Sequence, residues 1–288
     1  MDQKQGDISR RGFLGGAAGA GATAVILGVR GGAEDKKKLP IALELYSVRD
    51  HCAKDLPGTL AQVAKMGYQG VEFAGYHGKD AKELRRILDA NGLKCCGTHT
   101  GPDTLLGDKL KKTVEFNRTI GNRFLIVPGL PKERKGSAKA WSETAKLFNE
   151  IAGKVKADGM RVGYHNHSEE FQPVDGKTPW DVFFDAADPE VVMQVDTGNA
   201  MHGGADPVEL IRRHPGRTAT THVKEFSKAK PKALIGEGEM KWKEYLGLCE
   251  TVGKTEWYIV EYETDPAQPM ESMAGCLKGL RKLLGVES

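Results

Sequence analysis

From Ile41 onward the chain alternates between short apolar or β-branched runs and segments of helical spacing, and this alternation narrows the possible folds more than any other feature. Strand-like runs fall at 41–48, 70–73, 94–98, 124–127, 161–165, 191–195, 218–223 and 257–262. Between them, segments 56–66, 81–90, 105–120, 138–157, 179–187, 207–213, 242–252 and 270–284 carry apolar residues three and four apart. Gly67, Gly92, Gly121, Gly159, Gly216, Gly253 and Gly285 follow the helical segments, where glycine accepts the left-handed closing conformation. Asp80, Ser137, Thr178 and Asp206 stand as candidate N-caps, and Pro179 and Pro207 occupy the favoured first helical position. The punctuation recurs about every 30 residues, the length of one βα unit. Eight such units with no Pro-, Ser- or Gly-rich linker predict a single (β/α)₈ TIM barrel in the α/β class. An open doubly wound sheet would carry a glycine-rich phosphate loop after its first strand; the turn here reads Tyr46-Ser-Val-Arg-Asp50.

The chain of 288 residues, 39% hydrophobic and 28% charged, has the composition of a globular protein with one large domain. Its formal charge is +3, and residues 1–33 contribute four basic and two acidic groups, so the remainder carries only +1. That near-neutral body argues against a nucleic-acid partner. Cys52, Cys95, Cys96, Cys249 and Cys276 are odd in number and lack C-x-x-C spacing, which predicts buried thiols rather than a disulfide framework or a zinc cage. Cys95 and Cys96 are expected on opposite faces of one strand.

Ser9-Arg10-Arg11-Gly12-Phe13-Leu14 precedes a Gly/Ala-rich, weakly apolar run to Val29 and then a charged stretch. The pattern resembles a twin-arginine export signal, so residues 1–33 are assigned as a leader and 34–288 as the barrel, with a periplasmic destination. A permanent membrane span is not expected, because the run is too short and too rich in glycine.

In a barrel of this kind the reactive groups sit at the carboxyl ends of the strands. Those ends deliver Glu44 and Tyr46; Glu72; His99; His165, Asn166, His167 and Glu170; Asp196 and Asn199; His222 and Lys224; and Glu261 and Glu263. Carboxylates and imidazoles that end apolar runs are costly to bury unless they bind something. Asp196, His222 and Glu261 end strands six, seven and eight, and such a mixed set suits one divalent ion of the group Mn²⁺, Mg²⁺, Co²⁺, Fe²⁺ or Zn²⁺.

Five motifs occur in order: Tyr164-His-Asn-His-x-x-Glu170-Phe171; Asp196-Thr-Gly-Asn199 with Gly203-Gly204-x-Asp206-Pro207; Pro215-Gly-Arg217 leading to His222-Val-Lys224; Gly236-Glu-Gly238 with Trp242; and Trp257-Tyr-Ile-Val-Glu261. Together they resemble the sugar phosphate isomerase/epimerase family of xylose isomerase-like TIM barrels over residues 39–285. The resemblance implies one metal ion held by a Glu on strand five, an Asp on six, a His on seven and a Glu on eight. Asp196, His222 and Glu261 match the last three. On strand five the sequence departs, with Gly163 where the glutamate is expected, so the fourth ligand falls to Glu170 or to its competitor His165.

The resemblance further implies proton abstraction α to a carbonyl through a metal-bound enediolate, with Glu261, His165 and Glu170 as candidate catalytic groups. His99, Lys224, Glu72 and Asn199 are candidates to contact a sugar or keto-sugar. A histidine in place of the second carboxylate would also suit a dehydratase or lyase acting on a keto-sugar, of the 3-keto-glycoside or inosose type. A secreted carbohydrate-binding barrel without chemistry is a third reading. An abasic-site endonuclease is disfavoured, since Asn199 stands where that family places a further histidine.

Overall fold

The computed structural model describes residues 38–286, and the expected leader at 1–33 lies outside the described residues. Eight parallel strands close into a barrel in sequence order: β1 (Ile41–Glu44), β2 (Gly70–Phe73), β3 (Lys94–His99), β4 (Phe124–Val127), β5 (Arg161–His165), β6 (Val192–Asp196), β7 (Thr220–Val223) and β8 (Trp257–Val260). β8 pairs back onto β1 through Ala42 and Ile259.

The helices between them are α1 (Arg49–Met66), α2 (Ala81–Ala90), α3 (Lys109–Ile120), α4 (Ala138–Val155), α5 (Pro179–Ala186), α6 (Thr197–His202), α7 (Pro207–Arg213), α8 (Trp242–Leu248) and α9 (Pro269–Leu283). Of the expected caps, Asp80, Ser137 and Asp206 accept hydrogen bonds from the first turns of α2, α4 and α7, each worth about 1 kcal/mol. Thr178 makes no such bond. No described helix is long and apolar enough to cross a membrane.

Two boundaries differ from the sequence expectation for local reasons. β1 stops at Glu44 rather than 48, because its carboxylate accepts from Tyr46 N at 3.0 Å and turns the chain into a 3₁₀ helix. α6 was not expected at all; Asp196 caps it by accepting from Asn199 N at 2.7 Å, so the end of β6 starts a helix at once.

Strand alternation sorts the side chains. Leu43, Val71, Leu125, Val162, Met193, Val195 and Val260 join the helices in the main core. Inside the barrel, Phe124, Ile126, Val192 and Ala219 pack with Trp257, and Ala42, Cys96 and Ile259 form a neighbouring group. Cys95 and Cys96 face opposite sides of β3 as expected, and all five cysteines are free and buried.

Candidate metal centre

One step further along each strand the interior turns polar. Glu44, Glu72, His165, Gln194, Asp196, His222 and Glu261 are all buried. Ligand-capable atoms of His165, Asp196, His222 and Glu261 lie within 4.8 Å of one another. These four come from the ends of β5, β6, β7 and β8.

Local structure fixes each of them. Asn166, just past β5, bridges to β6: its Oδ1 accepts from Asp196 N at 2.8 Å, and its Nδ2 donates to Asp196 O at 3.1 Å. His222 stands between two carboxylates, with Nδ1 on Glu261 Oε2 and Nε2 on Glu72 Oε2. Lys224 Nζ donates to Glu261 Oε1 and Glu263 Oε2, both at 2.9 Å, and lies 3.9 Å from Asp196 Oδ2. Asp196 Oδ2 is buried and accepts no hydrogen bond.

The electrostatics follow from burial opposed by partners. Burial, only partly offset by Lys224, pushes the Asp196 carboxyl up to about 6. Glu261 feels the same desolvation, but Lys224 and His222 overcome it and hold its carboxyl well below the ordinary range. Burial, with His222 and His99 nearby, drives His165 well below the ordinary imidazole range, so it is a neutral nitrogen donor. On His222 burial is outweighed by the hydrogen bonds to Glu261 and Glu72, which raise it well above that range while no cation competes for the site.

An orphaned carboxylate oxygen, a second carboxylate and two imidazoles within 4.8 Å form a donor set that fits a divalent cation. Once buried, such an oxygen costs free energy unless something pairs with it.

The expected strand-five ligand Glu170 requires correction. Its Oε1 accepts from Tyr164 OH and its Oε2 from His167 N, both at 2.7 Å, so the carboxylate braces its own loop and is absent from the cluster. His165 takes the place instead. Gly163 could not be replaced by the expected glutamate without movement, since a Cβ there would lie 2.7 Å from both Ile126 Cδ1 and Val192 Cβ. Glu72, expected to meet substrate, is also corrected. Glu72 is fully buried against Gln194 and His222. Asn199 Nδ2 donates to Asn166 O at 3.2 Å, holding the β5 and β6 ends together.

His99 and Lys224 do reach open space. His99 lines a cavity of about 270 Å³ with Tyr76, Thr100 and Phe116. Lys224 lines one of about 530 Å³ with Met201, Phe226, Tyr262 and Glu263. Sequence reasoning passed over Gln194, although its place two residues before Asp196 marks it as inward-facing. It also passed over Glu225, whose buried carboxylate accepts from Phe226 N, Gly236 N, Met240 N and Trp242 Nε1 and ties down the loop beside the larger cavity.

A closed eight-stranded parallel barrel with an acid–imidazole cluster at its carboxyl-end mouth defines the class of TIM barrels. The chain belongs to the xylose isomerase-like TIM barrel family, whose model matches residues 60–283. An inosose dehydratase of Geobacillus kaustophilus is 24% identical over 264 residues, covering 78% of this chain and 84% of that protein. A sugar phosphate isomerase/epimerase from Parabacteroides distasonis shares the fold with a TM-score of 0.76 at 23% identity, over 88% of this chain and 100% of that one. The IOLI protein, whose structure holds a zinc atom, matches with a TM-score of 0.65 at 12% identity, over 86% and 98% of the two chains.

Proposed function

We propose that the protein abstracts a proton α to the carbonyl of a sugar or keto-sugar, as a divalent-metal-dependent isomerase or epimerase. The observation that carries this reading is the convergence of His165, Asp196, His222 and Glu261 around an oxygen that accepts no hydrogen bond. His165, Asp196, His222 through Nδ1, and Glu261 would hold the ion. When bound there, a divalent ion polarises a carbonyl oxygen and stabilises the negative charge that develops on it. The zinc atom in the IOLI protein, on the same fold, supports a metal in this class of barrel without choosing among Mn²⁺, Mg²⁺, Co²⁺, Fe²⁺ and Zn²⁺.

Glu261 is the base. Lys224 pairs with it and orients it from the side of the larger cavity. Lys224 and His99 are positioned to bind substrate hydroxyls at the two cavities. Burial also holds His99 below the ordinary imidazole range, so it approaches the sugar as a neutral imidazole.

A keto-sugar dehydratase is the second reading, favoured by a specific departure. Strand five offers an imidazole where a two-carboxylate epimerase has its second glutamate, so no second carboxylate stands there to return a proton to the α-carbon as epimerisation requires. The inosose dehydratase relative supports the same direction. A panel of keto-sugars in deuterated buffer, followed by NMR, separates the two. Exchange at the α-carbon without loss of a group identifies the isomerase; loss of water or of an aglycone identifies the lyase. Metal-loaded protein that exchanges no α-proton in any of them sinks both. Residues 1–33 serve in this reading as an export leader, and a reporter fused to them that stays in the cytoplasm would refute that part.

A further inference from the structure

Glu72 lies at the centre of the barrel, 0% exposed, and no step above uses it. It is an acceptor only, and what surrounds it is arranged accordingly. Gln194 Nε2 donates to Glu72 Oε1 and Oε2 at 3.1 and 3.2 Å, and also to Thr220 Oγ1 at 3.0 Å. The reversed amide would set a carbonyl against a carboxylate, so Glu72 decides which way Gln194 faces. The Oε1 of Gln194 is therefore an acceptor, and it meets His165 Nδ1 at 3.0 Å and His99 Nε2 at 3.3 Å. Both ring nitrogens must donate. His222 Nε2 lies 2.5 Å from Glu72 Oε2 and must donate as well.

We propose that Glu72 is a positioning residue that selects the tautomers of three histidines at once, directly for His222, through Gln194 for His165, and in both ways for His99, whose Nε2 lies 3.5 Å from Glu72 Oε2. With one N–H of each ring held by the anchor, Nε2 of His165 is left as a lone pair for a cation and Nδ1 of His99 for a ligand, while Nδ1 of His222, which meets Glu261 Oε2 in the metal-free protein, becomes one when a cation displaces its proton. A carboxylate behind a ligating histidine is a general means of orienting the ring. Here one carboxylate serves three rings. The backbone makes room for it: β3 slips register so that Gly97, not Cys96, stands opposite Glu72. A Cβ on Gly97 would lie 2.0 Å from Glu72 Oε1.

The test needs no substrate. In protein labelled with ¹⁵N-histidine, long-range ¹H–¹⁵N spectra of the metal-free form should show His165 protonated at Nδ1 and His99 at Nε2; after zinc is added, His222 should be protonated at Nε2. Glu72→Gln, whose amide can turn either way, should give mixed tautomers and weaken zinc binding by about 10–100-fold. Gly97→Ala changes no charge and should do the same by displacing the carboxylate. Opposite tautomers in the wild type overturn the proposal, as do folded variants with unchanged spectra and zinc affinity. Should the wild type bind no zinc, the metal-dependent function falls, whereas the metal-free spectra of His165 and His99 still decide the role of Glu72.

Discussion

The lower and upper halves of the barrel interior are built by the same strands, yet one is apolar and the other ionisable. On β6 the inward side chains run Val192, Gln194, Asp196, from apolar contact to neutral amide to carboxylate within five residues. Below, Phe124, Ile126 and Val192 are buried against one another, and each large apolar side chain removed from water contributes about 1.5–3 kcal/mol. Above, burial works against the fold, since every carboxylate loses hydration and Asp196 Oδ2 recovers no hydrogen bond. The floor supplies stability and the mouth spends some of it on a binding site, which is why the two can be perturbed separately.

Four experiments bear on that division, from the largest effect to the smallest. Glu261→Gln should lower kcat by about 10²–10⁴-fold, the range for removing a positioned base. Lys224 and His222 also lose a buried partner in this variant, so activity is compared per folded molecule, and normal activity would show that the upper layer is not where the chemistry occurs. Phe124→Ala should show the reverse, a loss of about 3–5 kcal/mol in denaturant unfolding with unchanged metal content per folded molecule. Metal loss in step with stability would instead mean that the two layers act as one unit.

Gly163→Ala probes the boundary. Its methyl would press on Ile126 and Val192 and should cost about 1–3 kcal/mol, detectable as a lowered Tm. A neutral result would remove the steric reason for the missing strand-five glutamate. The smallest signal is expected from the thiols. Burial pushes Cys52, Cys249 and Cys276 up to about 12 and raises Cys95 and Cys96 as well. A disulfide reagent at pH 8 should label none of the five in the native protein and all five after denaturation. Rapid native labelling of Cys96 would show that the apolar interior opens.

Much of this was legible in advance because it rests on period. Eight alternations of strand and helix spacing specify the barrel, and alternation along β6, β7 and β8 turns Asp196, His222 and Glu261 inward together. Periodicity ceases where a strand ends, and Glu170 illustrates the consequence. It lies five residues beyond His165, and nothing in the spacing reveals that Tyr164 and His167 N occupy both its oxygens.

By itself the sequence determined the number of barrel strands, the mouth that carries chemistry and three of the four converging groups, since each depends on local spacing along one strand. Only the tertiary structure decided that His165 joins Asp196, His222 and Glu261, that Glu72 meets Gln194 and His222 across the interior, and that Gln194 faces one way. Those outcomes depend on which donor meets which acceptor across the barrel, between residues 29 to 150 positions apart along the chain.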